Sequence, residues 1–236
     1  MAGQNVDVIQ SSRFTSGLVL LFSIQGAPLL RAANSYAIVD IGLPASAVDV
    51  SAEAVNSTGV LIGNSLMPGG ISRAFVYQNG AIALLALPPG ADRSVARAIN
   101  DAGQIVGAAT FGSATRGVRW ISGTPAVIDG LTDAFGINDN GQIVGVRQDA
   151  STSFQRRAFF VSGGTATDLG VPSGPPPGDP GGQSDALAYA VNRAGQIAGV
   201  SANLSDLRQP DAPWSYANGS MQWIPRPVGY ERGVAR

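Results

Sequence analysis

Three carboxylates, Asp92, Asp129 and Asp168, stand near the ends of short alternating segments, where a repeat could bring them onto one face. Paired groups of this kind could act as general acid and general base on a glycosidic bond. The plainer role for loop carboxylates is to form turns and hold water. Asp101 and Asp139 follow an asparagine inside Asn-Asp-x-Gly turns, and carboxylate and turn carbonyl oxygens together suit calcium. The other two copies carry Ser57 and Arg193 there, and the extra acidic residues of a calcium loop are missing, so the turn alone is the reading taken. Tyr77, Trp120, Phe160, Trp214, Tyr216 and Trp223 could stack on sugar rings if exposed, although aromatic residues at strand positions more often fill a core. Arg73, Arg116 and Arg157 open equivalent segments and could draw an acidic ligand into a channel. Pairing with neighbouring strand carboxylates is the simpler expectation for them.

The chain has neither histidine nor cysteine, and all 15 of its basic residues are arginine. Ser-His-Asp and Cys-His machinery, Schiff-base chemistry, disulfides and the usual zinc and copper sites are therefore excluded. With 236 residues the chain can bury a sizeable core, and only 13% of them are charged, about half the usual share. A net charge of −1 with scattered arginines gives no basic stripe for nucleic acid. No apolar run approaches the ~20 residues of a spanning helix. No residue is assigned as catalytic, cofactor-binding or metal-ligating, and no cofactor is expected.

The elements that must position these groups come from a repeat. Asn56, Asn100, Asn138 and Asn192 are each followed by glycine at the third and seventh positions, with spacings of 44, 38 and 54 residues between copies. A short alternating segment such as Ser94–Ile99 leads into each turn and reads as a strand. Asn-Asp-x-Gly is a type I turn closed by a left-handed glycine. A second strand follows (Gln104–Gly107), in which Gly63, Gly107, Gly145 and Gly199 mark a bend or a close backbone approach. The third strands are Arg73–Tyr77, Arg116–Trp120, Arg157–Val161 and Ala212–Tyr216. They end at turns containing Gly80, Gly123, Gly164 and Gly219. Fourth strands such as Ala126–Asp129 and Ala166–Gly170 complete each unit.

Four short strands in roughly forty residues fit a propeller blade, with a β-solenoid second. The expected fold is an all-β, β-propeller-like array of four-stranded units, incomplete or open. Tyr36–Gly42 looks like an orphan fourth strand that could complete the last blade of a closed ring, yet that blade offers its own in Ser220–Ile224. An open array would leave a strand edge for pairing with another subunit.

Ala98–Gly107, the Arg-Ala-Phe triplets at Arg73 and Arg157, and Asp168-Leu169-Gly170 resemble the HAF repeats of secreted bacterial proteins, named for a His-Ala-Phe signature in the third strand. The resemblance covers about residues 36 to 225. The signature histidine is replaced by Arg73, Arg116 and Arg157, so no role of that histidine carries over. The resemblance implies an extracellular β-rich repeat protein and supplies no catalytic residue.

Residues 1–35 read as a signal peptide or leader: Arg13 precedes the apolar run Ser16–Ile24, and Ala33 and Ser35 suit cleavage before Tyr36. Repeat units start near 51, 93, 132 and 185, and 226–236 form a tail. The irregular segments Gln148–Arg156 and Pro172–Gly182 are the expected binding loops. The function expected is a non-catalytic, extracellular or periplasmic binding or surface-interaction module, with a glycan or a surface protein as partner. The alternatives are a carbohydrate-active enzyme working through carboxylates at a propeller mouth, and a structural array assembling through strand edges.

Overall fold

A computed structural model describes residues 19–23, 36–148, 156–174, 185–201 and 212–225. Every regular element among them is a strand. β1 (Val19–Ser23) and β2 (Tyr36–Asp40) form a two-stranded antiparallel ribbon. Four antiparallel four-stranded blades follow, each in chain order. Blade 1 holds β3 (Asp49–Val55), β4 (Leu61–Met67), β5 (Ile71–Gln78) and β6 (Ala81–Leu84). Blade 2 holds β7 (Arg93–Ile99), β8 (Ile105–Phe111), β9 (Ala114–Ile121) and β10 (Thr124–Val127). Blade 3 holds β11 (Asp133–Ile137), β12 (Ile143–Gln148), β13 (Arg156–Ser162) and β14 (Thr165–Gly170). Blade 4 holds β15 (Leu187–Val191), β16 (Ile197–Ser201), β17 (Ala212–Ala217) and β18 (Ser220–Trp223). The Tyr36–Asp40 strand thus pairs with β1 and does not complete blade 4, which uses its own β18.

Both faces of the second strands are buried, which is why Ile-Val repeats there without polar alternation. Ile105 packs towards blade 1 beside Ile62 and Trp120, while Val106 packs towards blade 3 beside Ile143 and Phe159. Val144 then meets Ile197 and Trp214 across the next interface. The first strands β3, β7, β11 and β15 pack in succession, and the fourth strands fan outwards. Among the described residues, comparable packing does not join blade 4 to blade 1, and the array is open.

The repeat asparagines latch the blades. Asn56 Nδ2 donates to the carbonyl of Asn100 at 3.2 Å, Asn100 Nδ2 to Asn138 at 3.0 Å, and Asn138 Nδ2 to Asn192 at 2.8 Å. Each Oδ1 also accepts the backbone N–H four residues on, which closes its own turn. The first three asparagines are buried, whereas Asn192, in the last described blade, is exposed. Such a ladder satisfies buried polar groups that would otherwise be costly, roughly 1–3 kcal/mol for each one left unpaired.

Candidate binding site

In every blade the first strand carries one extra residue, three positions before the repeat asparagine. The register slips between Ala52 and Ala54, Ala96 and Ala98, Ala134 and Gly136, and Ala188 and Ala190. The inserted residues are Glu53, Arg97, Phe135 and Tyr189. A bulge bends its strand and re-aims the extra side chain. The bend presses the first strand onto the second: a Cβ on Gly63, Gly107, Gly145 or Gly199 would lie 2.0–2.1 Å from a first-strand carbonyl oxygen. Only glycine tolerates that approach, so the bulge dictates the glycine and the position, though not the type, of the extra side chain.

Three of these side chains, from blades 2, 3 and 4, form a contact chain along the first strands, and Glu53 stands at the equivalent position of blade 1. The Arg97 guanidinium sits 5.6 Å from the centre of the Phe135 ring. Phe135 and Tyr189 lie 5.2 Å apart at an interplanar angle of 49°. Arg97 Nη2 also donates to Asp133 Oδ2 at 3.0 Å, and the arginine side chain keeps 38% of its surface exposed. Burial is the main influence on Asp133 and pushes its carboxyl above the usual range, with the Arg97 charge pulling the other way. In blade 1, Glu53 accepts a hydrogen bond from Asn64 Nδ2 at 3.0 Å, and the same amide group bridges to Ala96 of blade 2. Phe135 and Tyr189 pack on a small cluster of Val146, Leu187 and Val200 that fixes their rings from behind. The wall therefore offers an acceptor, a multi-headed donor and two ring faces on rigid strands.

No protein-family profile matches the chain, and no curated protein matches it in sequence. Among solved structures, a TolB candidate from Agrobacterium tumefaciens superposes with a TM-score of 0.56 at 11% identity, covering 87% of this chain and 73% of that one. The fold is a β-propeller-like array. A triple arginine-to-alanine mutant of AofleA from Arthrobotrys oligospora gives 0.47 at 13% identity, over 75% of this chain and 56% of that one, too little to carry an argument.

Of the carboxylates singled out from the sequence, Asp101, Asp139 and Asp168 serve the scaffold. Asp168 pairs with Arg157 at 2.7 Å and accepts the Gly170 N–H, while Asp92 and Asp129 are exposed in the connections between blades. Asp101 Oδ1 accepts the Ser57 N–H at 2.9 Å, and Asp139 Oδ1 accepts the Asp101 N–H at 3.0 Å. Each thus caps the preceding blade's turn, and the Ser57 bond holds Asp101 below the ordinary carboxylate range. Among the described residues no three His, Cys, Asp or Glu side chains gather as a metal site.

Trp120 and Trp214 are fully buried, and Tyr77, Phe160, Tyr216 and Trp223 pack against the interior clusters. Arg73 donates to the Leu85 carbonyl, Arg116 covers the Phe111 ring, and Arg157 holds Asp168, so the three do not share a channel. Of the two irregular segments, residues 149–155 and 175–182 lie outside the described residues. Arg156, at the edge of the first, grips the fully buried Asp185 of blade 4. A shallow depression of about 170 Å³ on blade 1 is lined by Asp49, Ser51, Asn64, Ser65, Leu66 and Ser72. Its Asn64 amide and Ser65 hydroxyl already bond to the protein.

The inner row was missed because its four residues differ in type. The signal that finds it is positional: each stands three residues before the repeat asparagine.

Proposed function

We propose that the protein is a non-catalytic, secreted binding or surface-interaction module that holds its ligand on the inner wall. The observation that carries this reading is the contact chain Arg97–Phe135–Tyr189, built across three blades from partly exposed side chains that no turn requires. The apolar run Ser16–Ile24, the small residues before Tyr36 and the likeness of the repeats to HAF units support secretion. The test is saturable binding of the purified chain to surface glycans and surface proteins, repeated with Phe135→Ala and Tyr189→Ala. Turnover of a bound glycan would overturn the non-catalytic reading, and binding untouched by either substitution would move the site off the wall.

Assembly through edges is a second reading, favoured by one observation. Among the described residues, Asn192 is the single member of the ladder whose amide meets no carbonyl of another blade. Sedimentation across a concentration series tests it, and a monomer throughout would end it.

A further inference from the structure

Building on that wall as the binding site, we infer that its ligand is a neutral sugar chain. The first argument is charge. Arg97 is the only cation of the row, and Asp133 stands against it at 3.0 Å, with Glu53 at the equivalent position of blade 1. An acidic chain would meet one arginine already matched by one carboxylate and a second carboxylate beyond.

The second argument is hydrogen bonding. A guanidinium carries five N–H donors in a fixed fork, and one of them serves Asp133. Among the described residues no hydrogen bond engages the Tyr189 hydroxyl. Glu53 adds an acceptor fixed by the Asn64 amide. Donors and acceptors that alternate without net positive charge match the hydroxyls of a sugar, each of which gives one hydrogen bond and takes another. The tilted Phe135–Tyr189 pair supplies the apolar surface against which the C–H face of a sugar ring can lie.

The third argument separates a sugar from a peptide. An extended peptide binds a sheet by adding a strand to a free edge. The inner strands are such edges, but all four are bulged where the side chains emerge, and a bulge breaks the ladder there. Recognition at this wall therefore runs through side chains.

The experiment is calorimetric titration of the full chain with three probes: oligosaccharides of glucose, mannose and N-acetylglucosamine; oligosaccharides of uronic acids; and aromatic-rich peptides. The expected result is binding to a member of the neutral set, with an affinity the same at low and high salt because no net charge is neutralised. Tyr189→Ala should lower that affinity tenfold or more, while Tyr189→Phe, which keeps the ring, should lose less. Thermal melts of both variants check that the fold is retained. Tight, salt-sensitive binding of uronic chains alone, or of peptides alone, with loss in Tyr189→Ala, would overturn the sugar class and leave the module reading standing. Neutral sugar binding unchanged in both variants would overturn the wall as its site. A blank in all three arms at millimolar concentration would overturn this inference and leave the module reading to its own surface-protein arm.

Discussion

Asp133 and Asp101 are both first-strand or turn carboxylates, and their surroundings push them in opposite directions. Burial raises Asp133, against the pull of Arg97, and the Ser57 N–H lowers Asp101. A carboxyl raised in the folded state adds stability that is full below its unfolded value, about 4, and is lost as pH rises through the folded value. In urea melts at a series of pH values, the wild type should therefore gain on Asp133→Asn as the solution is acidified from neutral. A lowered carboxyl adds stability above its unfolded value and loses it as pH falls through the folded one. The wild type should accordingly lose ground to Asp101→Asn over the acid range. Curves of the same sign for the two variants would contradict the assignment. Asp101 and Asp139 already accept backbone N–H groups, so neither calcium nor EDTA should move the melting temperature.

At the scale of the blade, two devices carry the repeat, and each predicts a contrast. Asn138 closes its own turn, bonds Gln142 and holds the Asn192 carbonyl, all from a buried position. Asn138→Ala should cost roughly 1–3 kcal/mol per buried group left unpaired, measured by chemical denaturation. Asn192→Ala, exposed and at the end of the ladder, should cost under about 1 kcal/mol, as a lost neutral hydrogen bond does. Gly145→Ala drives a methyl group into the Asp133 carbonyl and the Ala134 backbone, neither of which can swing aside. Gly123→Ala meets open space and only the strain of φ +78°, about 1–2 kcal/mol. The first should unfold at clearly lower denaturant than the second. The sequence already displays these devices, because turn and bulge demand Asn and Gly whatever the neighbours are. Side chains released by the bulge answer to no such demand: Glu53, Arg97, Phe135 and Tyr189 share a position and nothing else. That is why the hairpins are legible and the wall is not. The buried tryptophans follow the same logic in reverse, since Trp120 and Trp214 declare a core that their strand positions imply.

For the molecule as a whole, most of the core lies between blades. Most of the largest buried side chains, including Trp120, Ile62, Val144 and Trp214, sit at interfaces from one blade to the next, while Leu61 and Phe75 pack with Ile41 on the outer side of blade 1. Arrays of this kind gain stability from nearest-neighbour contacts, so protection should grade along the chain. Amide exchange should be slowest in β8 and β12, which have a blade on each side, and faster in β16 of the last blade; equal rates would contradict the grading. The fourth strands fan into solvent and should exchange first. The direction of the latches adds an asymmetry. Asn56, Asn100 and Asn138 each reach forward to the following blade, and Ser57 and Asp101 likewise lean on an acid from the blade ahead. Shortening the protein from its C-terminal end would strand the amide of the last remaining blade at every cut. Shortening it from the N-terminal end would leave every surviving latch closed. Ribosomal synthesis delivers the blades in the first order, so each nascent blade waits, half fastened, for the next one to emerge.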